Sequence, residues 1–197
     1  NHGDIGSNAV DLSYSNSAST TRGATGDSST AMGISTTASG IASTAMGAST
    51  EASGIASTAM GAGTTASGFR STAMGQSTTA SGTYSTAMGQ STTASGAYST
   101  AMGDGTTATG NTSTTMGRST EASGIFSTAM GGFTTASGAF STAMGRNSKA
   151  SDYGSLVIGQ YNSSGSSATS ADSFNTANTA FVIGNGADGN NISDAFS

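Results

Sequence analysis

The chain has 197 residues, a formal net charge of −5, 30 Gly, no Pro, Cys or Trp, and only 8% charged residues, with Ser, Thr and Ala filling most of the rest. Apolar residues make up 34%, many of them Ala, so a thick Leu/Ile/Val core cannot form and the chain must be either disordered or a repeat. Five scattered basic residues argue against nucleic acid as a partner. No apolar run is long enough to span a membrane, so no membrane contact is expected of this segment. The start, Asn1-His2-Gly3-Asp4, has no initiator Met, basic n-region or apolar h-region, and reads as a mature product or an excised fragment. The scarcity of Lys fits an extracellular polymer better than a cytosolic protein.

In chain order, residues 1–25 come first. Val10, Leu12 and Tyr14 alternate as in a strand and Ala18 is in phase with the later Ala series, so this stretch reads as a degenerate N-terminal capping coil. Residues 26–159 are a regular repeat. Met stands at 32, 46, 60, 74, 88, 102, 116, 130 and 144, always 14 apart, and Ile158 continues the phase. Gly follows each Met, and a second Gly series runs from Gly26 and Gly40 to Gly138. Ala recurs at every seventh position from Ala31 to Ala150, with Thr115 the one exception. The unit is two related heptads, Ser-Thr-Ala-Met-Gly-x-x and Ser/Thr-Thr/Glu-Ala-Ser-Gly-x-x.

A coiled coil is excluded, because Gly in each heptad costs about 1 kcal/mol in a helix. Collagen is excluded because it needs Gly at every third residue. What fits is an all-β parallel solenoid with 14-residue coils: a strand of four or five residues, a Gly-led corner, a second strand and a second corner. Gly supplies the positive φ or the close approach at the corners. Each coil rises about 4.8 Å, so ten coils would give a rod of roughly 48 Å. Alternation puts Ser43, Ala45 and Gly47 on one side of the strand and Thr44 and Met46 on the other. In the partner strand Thr50, Ala52 and Gly54 oppose Glu51 and Ser53. The simplest arrangement packs the small residues inside a narrow coil. Met32, Met46, Met60, Met74, Met88, Met102, Met116, Met130, Met144 and Ile158 then form a column on an outer face. Such a column should be buried against other copies of the chain, with three-fold closure as the natural solution. The alternative is that Met fills the coil interior of a monomer.

Residues 160–197 break the period, since the next match to Ile158 is Ile183, which falls short of two full repeats. They are expected to form irregular coils and a junction to a further segment. Gly184 to Asn191 is rich in oxygen ligands but lacks Asp at alternate positions and a bidentate Glu, so a turn is expected there, not a calcium site.

Chemistry is scarce. The sole His is His2, there is no Cys, and no coil offers a base to activate its Ser or Thr. Glu51 and Glu121 lie five coils apart, about 24 Å, too far for an acid/base pair. No catalytic, cofactor or metal residues are assigned, and the chain is read as not an enzyme. Two surface features remain. Phe69, Tyr84, Tyr98, Phe126 and Phe140 gather at the corner after the Ser-Gly strand, where they either pack between protomers or face a ligand. An outward row (Thr37/Ser39, Thr65/Ser67, Thr79/Ser81, Thr93/Ser95, Thr107/Thr109, Thr135/Ser137) could order ice-like water, but Glu51, Glu121 and Lys149 interrupt it.

The alternation of Ser-Thr-Ala-Met-Gly with Thr-Thr-Ala-Ser-Gly resembles the head repeat of YadA-type trimeric autotransporter adhesins, over about residues 26–159 and more loosely at 172–184. The resemblance implies a homotrimer of left-handed parallel β-rolls, extracellular on a bacterial cell surface or in a virion tail fibre. It implies a structural or adhesive module, with host matrix, glycan or another cell surface as partner. The alternatives are an ice-binding solenoid and a phage tail-fibre shaft. Thr and Met replace the family's Val and Ile in nearly every coil, and its stalk and anchor do not occur within this segment.

Overall fold

Ser, Thr and Ala at successive positions give a segment poor in helix formers but able to extend, and Gly punctuates it at fixed intervals. In the computed structural model, which describes residues 4–15 and 20–196, these heptads build an all-β parallel solenoid with no helix among the described residues. His2 and Ala18 lie outside the described residues. The chain divides into two compact units, Asn1–Tyr98 and Ser99–Ser197.

In the first unit, five-residue strands lie at Val10–Tyr14, Thr30–Ile34, Thr44–Ala48, Thr58–Ala62, Thr72–Gln76 and Thr86–Gln90. They pair in that order as a parallel sheet, with Met over Met from Met32 to Met88. A second parallel sheet is made of two-residue strands, such as Thr37–Ala38, Glu51–Ala52 and Thr65–Ala66. The second strand of each coil is therefore shorter than the heptad suggested. Val10 pairs with Thr30, so the first coil is longer than the regular ones.

The second unit repeats the pattern, with long strands from Thr100–Asp104 to Leu156–Gln160 and short ones from Thr107–Ala108 to Lys149–Ala150. After Gln160 one irregular coil intervenes, and Phe181–Asn185 then pairs in parallel with Leu156–Gln160, Ile183 opposite Ile158. Asp194–Phe196 adds the last strand in antiparallel sense.

The interior is a column of small side chains. Ala45, Ala52, Ala59 and Ala66 are fully buried, as are Ser43 and Thr50, while Met46 is only half-buried. Met thus lies outside the coil, which removes the alternative of a Met-filled monomer core. Backbone bonds between coils replace side-chain packing as the main tie: Thr44 N–H donates to Ser57 O at 2.9 Å and Glu51 N–H to Thr64 O at 2.8 Å.

The glycines divide the expected roles differently. A Cβ on Gly54 would stand 2.1 Å from the carbonyl oxygen of Gly68, so this column exists for close approach of successive coils. Gly47 combines such a clash, 2.0 Å from Gly61 O, with φ +122°, and it is exposed, not directed into the coil with Ser43 and Ala45. Most left-handed corner residues are not glycines: Ser49, Ala56, Arg70, Tyr84 and Tyr98 take φ between 53° and 58°, while Gly63 fills the same place at φ +63°. That conformation costs a Cβ-bearing residue about 1 kcal/mol or more. It is offset because each corner N–H turns back to bond the preceding coil, Ala56 to Ile41 O and Tyr84 to Phe69 O, both at 2.8 Å.

Candidate functional site

The outer face of the long-strand sheet carries Thr and Met in stacked rows. In the first unit Met46, Met60, Met74 and Met88 are half-buried and Met32 is exposed. In the second unit Met102, Met116, Met130, Met144 and Ile158 stack in register, and Ile183 extends the row. Each unit therefore presents a straight apolar stripe edged by Thr hydroxyls, held in place by strand register.

The aromatic corner is a ladder in both units. Phe69 meets Tyr84 edge to face at 5.4 Å, and Tyr84 stacks on Tyr98 at 5.1 Å with the planes 9° apart. In the second unit Phe126 stacks on Phe140 at 5.0 Å, and Phe140 meets Tyr153 at 5.4 Å and 61°. Phe69 sits one position earlier in its coil than the other four, and Arg70 takes the left-handed place and lies over both Phe69 and Tyr84. Because Tyr84 and Tyr98, and likewise Phe126 and Phe140, turn their faces on each other, they offer mainly edges to the surroundings. All five rings are exposed in the single chain. On the short-strand face the hydroxyl row is in register, but Glu51 pairs between Thr37 and Thr65, Glu121 beside Thr107 and Thr135, and Lys149 beside Thr135.

The closing segment of the second unit holds residues that the repeat pattern did not single out. Asp152 stands where the repeat calls for Gly. It is fully buried, and its carboxylate accepts N–H bonds from Thr169, Ser170 and Thr179. Burial pushes this carboxyl up, but the backbone N–H groups of Thr179, Thr169 and Ser170 and the Thr179 side chain outweigh it and hold the group below the usual carboxylate range. Asn162 is buried, and its side-chain amide accepts from Lys149 N–H at 2.8 Å and donates to Lys149 O at 2.9 Å. It thereby pairs with the last short strand as another strand's peptide group would. The expected turn is present at Asp188, whose carboxylate accepts from the N–H groups of Asn190 and Asn191 and from the Asn191 side chain.

Nine overlapping stretches, from 24–50 to 136–162 and each displaced by one repeat, match the model of the YadA head domain repeat, two copies at a time. The chain belongs to the YadA head-repeat family. No curated protein matches it. Family and fold are those of structural, adhesin-type repeats, and no helix among the described residues is long and apolar enough to cross a membrane. The head-repeat match ends at residue 162, where the Asn162 side chain completes the short-strand sheet. The one sequence signal for this closure was the loss of Gly at 152 in an otherwise unbroken column.

Proposed function

We propose that this chain is the head or shaft module of a homotrimeric extracellular fibre, on a cell surface or in a virion tail, whose task is structural and adhesive. The supporting observation is the Thr/Met stripe on the outer face of the long-strand sheet. Stacked apolar side chains in this number are costly to leave against water, and a second and third copy presenting the same stripe would bury them about a three-fold axis. Met32, Met46, Met60, Met74, Met88, Met102, Met116, Met130, Met144 and Ile158 are the proposed contact residues. We assign the aromatic corner to packing between protomers, since stacked rings that expose edges suit an apolar protein surface better than the flat face of a sugar. The outer partner is host matrix, glycan or another cell surface. Sedimentation velocity at micromolar concentration tests the assembly: a trimer is expected, and a compact monomer would sink the reading.

A further inference from the structure

The closing segment contains a formed cleft that the Met stripe does not use and that shares with the ladder only its last ring, Tyr153. It measures about 390 Å³, and its lining, which includes Tyr153, Phe174, Asn175, Thr176, Asn178 and Ala180, carries no charged residue. Its size lies in the usual range for small-ligand sites. We propose that this cleft binds one or two rings of a neutral saccharide, between the aromatic walls of Tyr153 and Phe174 and the amides of Asn175 and Asn178.

Three observations carry the assignment. The first is the aromatic lining. Phe174 is 78% exposed, and Tyr153 ends the ladder tilted 61° to Phe140, so it is not stacked face to face as Phe126 and Phe140 are. A pyranose ring has an apolar C–H face and a rim of hydroxyls, and it needs an aromatic wall beside amides that can both donate and accept.

The second is the set of free polar groups. Asn178 donates its amide to Ser170 O and Ser173 O, both at 3.2 Å, while its Oδ1 is buried without a partner. Asn175 uses Oδ1 to accept Ala177 N–H at 2.9 Å, which leaves its amide hydrogens for a ligand. The Asn175 amide hydrogens can donate to a sugar hydroxyl, and the Asn178 side chain, tied to Ser170 O and Ser173 O, fixes the wall beside them.

The third is rigidity. Asp152 grips the backbone at Thr169, Ser170 and Thr179, and Asn178 N–H bonds Asn175 O at 3.0 Å, so the wall is shaped before a ligand arrives. The lining holds no cationic group to pair with an acidic sugar, which favours a neutral ligand. A separate cleft of about 280 Å³ in the same unit instead contains Lys149 with Tyr161, Asn147 and Asn162. An acidic glycan would choose that one.

The cleft goes beyond the fibre reading and does not depend on the trimer, because its whole lining belongs to one unit of one chain. Saturation-transfer NMR on the full chain with maltotriose, lactose, N,N′-diacetylchitobiose and 3′-sialyllactose tests it. At least one of the three neutral sugars should bind. Phe174→Ala should weaken that binding tenfold or more with an unchanged melting curve, Phe174→Trp should retain it, and Tyr98→Ala should leave it untouched. The proposal is overturned if none of the neutral sugars binds, if their binding survives Phe174→Ala, or if only 3′-sialyllactose binds and Lys149→Ala abolishes it.

Discussion

Thr78 is fully buried inside its coil and its hydroxyl has no hydrogen-bond partner, as is true of Thr50, Thr64 and Thr92 in the same column. A buried unsatisfied hydroxyl costs about 1–3 kcal/mol, so Thr78→Val, which keeps the shape and removes the polar atom, should stabilise the fold. The expected outcome is a melting temperature raised by a few degrees, equivalent to about 1 kcal/mol. A fall would mean that the hydroxyl is bonded after all. Ala87 is the opposite case. It is fully buried in register with Ala73, and Ala87→Leu adds three carbons where the coil has only Ala, Ser and Thr to yield space. Overpacking usually costs about 1–3 kcal/mol, and here the upper end or beyond is expected from a chemical melt. Gly82→Ala should be comparably harmful, since the new Cβ would stand 2.1 Å from the carbonyl oxygen of Gly96, a backbone atom that cannot swing away.

At the scale of elements, the regular coils carry no ionisable group in their interior, whereas the closing segment is fastened by carboxylates. Asp152 and Asp194 are both held below the usual carboxylate range. In Asp194, burial works upward and the Ser163 and Ser164 side chains and N–H groups work downward and prevail. A lowered folded pKa means the stabilisation is full above the unfolded value of about 3.9 and is lost as pH falls through the folded value. Hydrogen exchange should therefore show the N–H groups of Thr169, Ser170, Thr179, Ser163 and Ser164 protected at pH 5 and progressively released below about pH 4. Protection of strands such as Thr58–Ala62 should persist; simultaneous loss would disprove local fastening by Asp152 and Asp194. This contrast also marks what was legible in the sequence. Period, strand alternation and the outward Met follow from residues repeated in phase, because one register error would move Ala45 and Met46 to the wrong faces together. The backward-bonding corners were not legible. Nothing in Ala56 or Tyr84 announces a left-handed backbone, which the ladder bond to the preceding coil imposes from outside the heptad. The partners of Asp152 and Asn162 were equally hidden, since they lie on a segment without a repeat to align them.

For the whole molecule, the decisive substitution is Met88→Asp. Met88 stacks on Met74 in the outer stripe and is half-buried in the single chain. In a trimer closed about that stripe, three carboxylates would be brought together in an apolar seam. Like charges in a desolvated site either raise their own pKa or separate the chains. Sedimentation at pH 7 should then show loss of trimer. At a pH low enough to neutralise the carboxylates, and still above the range in which the closing segment loosens, the trimer should return in part, because neutral Asp removes the repulsion though not the polar penalty. Ser81→Asp adds the same charge on the exposed short-strand side, and its effect should stay within about 0.5 kcal/mol. The pair separates assembly from folding. In a solenoid each coil contacts mainly its neighbours, so Met88→Asp should leave the β-sheet circular dichroism of the dissociated chain intact. If Met88→Asp sediments as a full trimer while Ser81→Asp dissociates, the contact lies on the short-strand face, and the Met stripe must serve some other surface.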